Sequence, residues 1–240
     1  MTDTSTTSGG AGMLARFKDL CIDAVDVERA ARFWSAALGL EIRRSDADVW
    51  LVGKSAAHAI WINQVPEPKT VKNRVHLDVH TGSLADLTDG GARVLQPATA
   101  DHVWTVLTDP DGQEFCAFAG EQVPEYRLYE VVLDCADPGP LASWWASVLG
   151  GELKGGGDEW WLTKAPGVPF EYLAFGRVPE PKTVKNRVHW DLYGDPGELV
   201  TRGATLLRAR GGDLDCHVLA DPEGNEFCVW EPTAEQGVPG

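Results

Sequence analysis

A twelve-residue segment, VPEPKTVKNRVH, stands at Val65–His76 and again, letter for letter, at Val178–His189. Around it the two halves of the chain stay in register. CIDAVDVERAARFWSAALGLE (Cys21–Glu41) lies against VVLDCADPGPLASWWASVLGGE (Val131–Glu152), with Asp26 on Asp137 and Trp34 on Trp145. TDPDGQEFCAF (Thr108–Phe118) lies against ADPEGNEFCVW (Ala220–Trp230). Three matches in one order at nearly one spacing mark an internal duplication, so the fold must build one unit twice. The seam falls at Gly120–Arg127, which carries turn residues and no apolar periodicity. The expected layout is a domain over 14–121, a second over 127–233, and a disordered polar tail over 1–13.

Units of this size, roughly 110 residues each, bury enough apolar surface to fold without disulfides. The hydrophobic fraction of 43% and charged fraction of 24% suit a globular chain, and no apolar run reaches membrane-spanning length, so no membrane partner is expected. The net charge of −15 opposes any partner held through its phosphates, which excludes nucleic acid. The five cysteines form no CxxC pair and the start of the chain has no basic–apolar leader, so a cytoplasmic protein with free thiols is expected.

Each repeat reads as two β-α-β-β-β units. In the first, Phe17–Ala24 alternates as a strand, and Asp26 caps a helix whose apolar stripe is Ala30, Phe33, Trp34, Ala37 and Leu38, ended by Gly39. Strands are predicted at Val49–Val52 and His58–Gln64, and Pro66 and Pro68 then impose an extended crossover. The second unit is predicted as Arg74–His80, a short helix Ser83–Asp89, then Val94–Gln96, Val103–Thr108 and Glu114–Phe118, the last two joined at Asp109-Pro110-Asp111-Gly112.

The paired β-α-β-β-β units, the helix motif D-x-E-R-A-x-x-F-W and the terminal D-P-[DE]-G-x-E-F strand together resemble the vicinal oxygen chelate superfamily of glyoxalase and bleomycin-resistance-like proteins. The P-E-P-K-T-V-K-N-R-V-H stretch is similar to a glyoxalase-like branch of it. The resemblance implies an α+β fold of two tandem domains, each of paired modules that form an open curved sheet around a ligand cavity, with helices outside.

Strand alternation phases the side chains. Leu20, Ile22 and Ala24 suit the helix side, which leaves Asp19, Cys21 and Asp23 on the concave side. Arg74, His76, Asp78 and His80 follow on the fifth strand, and Glu114, Cys116 and Phe118 on the last. The second repeat gives Glu130, Val132 and Asp134, then Arg187, His189 and Asp191, then Glu226, Cys228 and Trp230. Each repeat is therefore expected to gather an imidazole, carboxylates and a thiol, either as a polar binding floor or as an inert ion-paired network.

Metal-binding members of the superfamily take a His from the first strand, a His or Glu from the fifth and a Glu from the eighth. Here the fifth-strand position is His76 or His189, the first-strand position is Asp19 or Glu130, and the eighth-strand Glu is replaced by Cys116 or Cys228. Glu114 and Glu226 stand two residues earlier. No metal or other cofactor is expected on this pattern, although His, carboxylate and thiolate are all zinc ligands, which keeps a divalent metal as the alternative. A Cys116–His76 or Cys228–His189 nucleophilic couple is the less favoured reading of the thiols. Lys69 and Lys72 are expected exposed on a solvated crossover.

The cavity-phased aromatics Phe118 and Trp230 favour a small, flat organic ligand. The expected function is small-molecule binding in a monomer or homodimer. The alternative is a lyase, isomerase or dioxygenase with His76 or His189 as acid/base, and Asp19, Arg74, Asp78, Glu114, Glu130, Arg187, Asp191 and Glu226 around the substrate.

Overall fold

The protein is described here by a computed structural model covering residues 13–212 and 214–232, so the expected N-terminal tail lies, up to residue 12, outside the described residues. The first repeat runs β1 (Ala15–Ala24), α1 (Val27–Leu38), β2 (Glu41–Arg44), β3 (Val49–Val52), a 3₁₀ turn (Ala56–His58) and β4 (Ile60–Gln64). It continues with β5 (Val75–Thr81), α2 (Leu84–Asp89), β6 (Arg93–Gln96), β7 (Thr105–Thr108) and β8 (Glu114–Ala119). The second repeat opens with β9 (Leu128–Cys135), α3 (Pro138–Leu149), β10 (Glu152–Gly156), β11 (Glu159–Thr163) and β12 (Tyr172–Arg177). It closes with β13 (Val188–Gly194), α4 (Pro196–Thr201), β14 (Thr205–Arg208), β15 (His217–Ala220) and β16 (Glu226–Trp230).

The helix ends follow from local chemistry. Asp26 accepts a hydrogen bond from the Arg29 N–H at the start of α1, and Gly39 ends it in a left-handed conformation. Pro138 opens α3, where a missing N–H costs nothing. The strand expected from His58 begins at Ile60, because residues 56–58 wind into the 3₁₀ turn. Strand β2 was not expected from the sequence; its exposed residues give no clear alternation.

The sixteen strands form two eight-stranded mixed sheets, ordered β14-β15-β16-β13-β1-β4-β3-β2 and β10-β11-β12-β9-β5-β8-β7-β6. Each sheet takes four strands from each repeat. The seams are the antiparallel pairs β1–β13, with Asp19 opposite Asp191, and β5–β9, with Asp78 opposite Glu130. Packing follows a different division. In the first repeat Phe33 and Trp34 of α1 meet Phe115 of β8 edge-on, and the Trp34 indole donates to Asp109 at 3.1 Å. In the second repeat Trp144 and Trp145 pack on Phe227, and Trp145 donates to Asp221 at 3.1 Å. These aromatic clusters join one continuous core that runs through both repeats, with Phe17 packed on Phe170 at 5.6 Å, and each concave face is likewise shared between repeats.

The D-P-[DE]-G turns tie these parts together. Asp109 is buried and accepts from the Asp111 and Gln113 N–H groups. Asp111 then reaches the free N–H groups of Val25 and Asp26 ahead of α1 and pairs with Arg29, as Glu223 does for Ala136 and Asp137 ahead of α3. Among the described residues no helix is long and apolar enough to cross a membrane.

Candidate functional site

The alternation read from β1, β5, β8, β9, β13 and β16 holds: Leu20, Ile22, Val75, Leu77, Val79, Phe115, Val131, Leu133, Phe227 and Val229 are core. The polar set faces the other way, but the sheet pairing sorts it differently from the repeats. Asp19 does not join His76 and Cys116 of its own repeat. It joins His189, Asp191 and Cys228 of the second repeat, and Glu130 joins His76, Asp78 and Cys116 of the first.

The first floor lies on β1, β13 and β16. Cys21 donates to Asp191 at 3.7 Å, Trp230 donates to Asp191 at 2.7 Å, and Trp61 of β4 donates to Asp19 at 2.9 Å. Lys18 also enters this floor, although alternation from Asp19 would turn it away. A bulge in β1 between Phe17 and Asp19 puts neighbouring residues on one face. The Lys18 ammonium lies 2.5 Å from Asp19 and 3.7 Å from Asp191, with the Trp230 ring 4.6 Å and the Trp61 ring 6.0 Å away. Burial opposes that charge, but the two carboxylates outweigh it and raise the lysine pKa. Burial, with Asp191 alongside, pushes Asp19 up to about 6. His189 is buried and its pKa is lowered by that burial; its Nε2 lies 3.9 Å from the Cys228 thiol and 3.7 Å from Asp191. Asp19 Oδ1 and His189 Nδ1 are buried without a hydrogen-bond partner.

The second floor lies on β5, β8 and β9. His76 Nδ1 and Asp78 are 2.8 Å apart. Burial opposes the His76 imidazolium, but Asp78 and Asp134 outweigh it and raise the imidazole pKa. Burial, with Asp78 directly opposite, pushes Glu130 up to about 8, which favours the neutral carboxyl. Burial likewise pushes the Cys116 thiol far up, which removes it as a nucleophile. Above the floor stands a wall of half-buried rings. Phe118 meets Trp104 at 5.9 Å and Tyr129 at 5.2 Å, and Tyr129 meets His80 at 4.6 Å and Tyr172 at 5.6 Å. The same bulge recurs at β9 and brings Tyr129 onto the face of Glu130.

Four expected site residues serve the crossovers instead. Glu114 accepts from Lys69 at 2.6 Å and from the Asn73 N–H, and Glu226 accepts from Lys182 at 2.8 Å and from the Asn186 N–H. Arg74 bonds the Glu180 and Asp134 carbonyls, and Arg187 those of Glu67 and Asp23, so each arginine clamps the opposite crossover. Lys69 is therefore not solvated: its side chain is 14% exposed, whereas Lys72, paired with Asp134, is 60% exposed. The repeated VPEPKTVKNR segments meet along one groove of about 570 Å³ that reaches Asp23 and Asp134 beside the two floors.

Two donor triads could hold a metal ion: Cys21, His189 and Asp191, and His76, Asp78 and Cys116, each within 4.8 Å. On the first floor a second cation does not fit, because Lys18 already lies between the carboxylates. On the second floor the donor types suit zinc, provided the Cys116 proton and the His76–Asp78 bond are given up. All five cysteines are free.

Two open sheets built from β-α-β-β-β modules define a fold shared with solved structures. Glyoxalase I from Zea mays covers 90% of this chain and 92% of its own at 14% identity, with a TM-score of 0.64. A point mutant of the same protein gives 0.66 at 14% identity over 90% and 94%. CppA from Streptococcus pneumoniae TIGR4 gives 0.51 at 10% identity over 91% and 98%. At these identities the likeness is one of fold. The glyoxalase-like domain model matches residues 19–118 and again 130–230, and the chain belongs to that family. No match is found among curated proteins.

Sequence reasoning phased His80 to the concave side but missed Lys18, Tyr129, Trp61, Tyr172 and Trp104 as parts of the floors and walls. The available signal for one pair was that Lys18 and Tyr129 hold the same repeat position, each before an acid, Asp19 or Glu130.

Proposed function

We propose that the protein binds a small organic molecule with a flat apolar face on the concave side of the second sheet. The observation that carries this reading is the wall of half-buried rings, Trp104, Phe118, Tyr129, Tyr172 and His80, above a floor of half-buried His76 and buried Asp78 and Glu130. Stacking on the wall would supply affinity, and the floor would fix orientation. Both sheets are completed by strands of one chain, which supports action as a monomer. A thermal-shift screen of aromatic metabolites tests the reading. Stabilisation that Phe118→Ala abolishes supports it. No stabilisation by any aromatic compound, or stabilisation indifferent to Phe118→Ala, refutes it.

A second reading, a metal-dependent lyase, isomerase or dioxygenase, is favoured by the His76, Asp78 and Cys116 triad. A zinc ion held there would polarise a substrate oxygen, with Glu130 placed to hold or release a proton. Stoichiometric metal in the purified protein, lost in His76→Ala, would favour it over the first.

A further inference from the structure

The two floors are built on one plan and differ at one telling position. In both, the seam sets two acids opposite each other, Asp19 with Asp191 and Asp78 with Glu130, and a bulge adds the preceding residue to the same face. In the first floor that residue is Lys18, and its ammonium completes a cage of two carboxylates and two indole rings. In the second it is Tyr129, which joins the aromatic wall and brings no charge. Its acid pair has His76 beside it, and among the described residues no ammonium pairs with it, Lys72 being paired with Asp134.

We propose that Lys18 is the chain's own occupant of the first floor, and that the second floor takes the equivalent group from outside: the ammonium of a small aromatic amine, one molecule per chain. This rests on the reading that the second concave face binds an aromatic ligand, and it names that ligand's charge. Two observations carry it. The first floor shows what group this framework accommodates, an alkylammonium against carboxylates and ring faces, where cation–π attraction adds to ion pairing. The second floor repeats the opposed acids and supplies Phe118 and Tyr129 as the ring faces. The first floor keeps hydrogen-bonding capacity at Asp19 Oδ1 and His189 Nδ1, but the Asp19 charge is already matched.

The test is calorimetric titration of the full chain with phenethylammonium, against the neutral isostere phenethyl alcohol, in metal-free buffer. The expected result is one site per chain, at least tenfold weaker binding of the alcohol, and at least tenfold loss in Glu130→Gln. Tyr129→Lys should abolish binding by giving the second floor its own ammonium, and Lys18→Tyr should raise the stoichiometry to two. If Lys18→Tyr does not fold, Tyr129→Lys still decides. Equal binding of amine and alcohol, both lost in Phe118→Ala, would overturn the ammonium assignment and leave the aromatic-ligand reading standing. No binding of either probe, together with no aromatic hit in the thermal-shift screen, would overturn both. Two sites in the unaltered chain, or amine binding unchanged in Tyr129→Lys, would overturn the role given to Lys18.

Discussion

Glu130→Gln isolates the proton held on the second floor. The carboxyl ordinarily titrates near 4.5 and is pushed up to about 8 by burial and by Asp78 opposite. A carboxyl whose folded pKa is raised binds its proton more tightly in the folded state. Its contribution to stability is therefore full below 4.5 and is lost as pH rises to about 8. Asp19 and Asp109, both pushed up to about 6, act in the same direction at lower pH, so the cleanest window for Glu130 is pH 6 to 8. Over that window the loss is roughly 2 kcal/mol at ~1.4 kcal/mol per pKa unit, since the carboxyl is still half-protonated at pH 8. Glutamine cannot ionise, yet its amide can still donate to Asp78. The stability advantage of the unaltered chain over the variant should shrink by ~2–3 kcal/mol between pH 6 and 8. For a chain of this size that is a relative change in Tm of roughly 5–10 °C. Urea titrations at a series of pH values measure it, and profiles that run parallel from pH 6 to 8 would show that Glu130 takes up no extra proton on folding.

Other outcomes follow from the repeat cores and the boundary between repeats. Asp109→Ala removes the acceptor for Trp34 and for the Asp111 and Gln113 N–H groups, so a loss of ~2–4 kcal/mol is expected by chemical denaturation. Trp34→Phe shrinks a fully buried ring and leaves Asp109 without its indole donor, so a loss of ~2–3 kcal/mol is expected. Gly39 has a φ of 71°, and a Cβ there would meet the Glu125 carbonyl oxygen, so Gly39→Ala should destabilise by at least ~2 kcal/mol on the same assay.

Much of the architecture was legible because strands and helices announce their periods. The apolar alternation of Leu20-Ile22-Ala24 and Val75-Leu77-Val79 fixed which faces are core, and the Asp26 and Gly39 signals bounded α1. The partner of each strand was not legible. The two repeats carry the same pattern, so β1 satisfies the same hydrophobic face against β13 as it would against β5, and no residue code separates the two. That is why Asp19 was grouped with His76 when it lies with His189. Lys18 and Tyr129 were hidden for another reason: a bulge adds one residue to a face, and alternation assigns that residue to the opposite side. Glu114 and Glu226 were phased to the correct face. Their engagement with Lys69 and Lys182 depends on where the proline-bent crossovers return, which local pattern does not encode.

If the aromatic concave face of the second sheet, and not that of the first, holds the ligand, the two faces must respond differently to the loss of a ring. Phe118 and Trp230 hold the same repeat position on the two faces, so an aromatic compound found in the screen should be titrated by calorimetry into Phe118→Ala and Trp230→Ala side by side. Binding should weaken at least tenfold in Phe118→Ala, with an unchanged dissociation constant in Trp230→Ala. Loss of binding in Trp230→Ala with Phe118→Ala unaffected would contradict it.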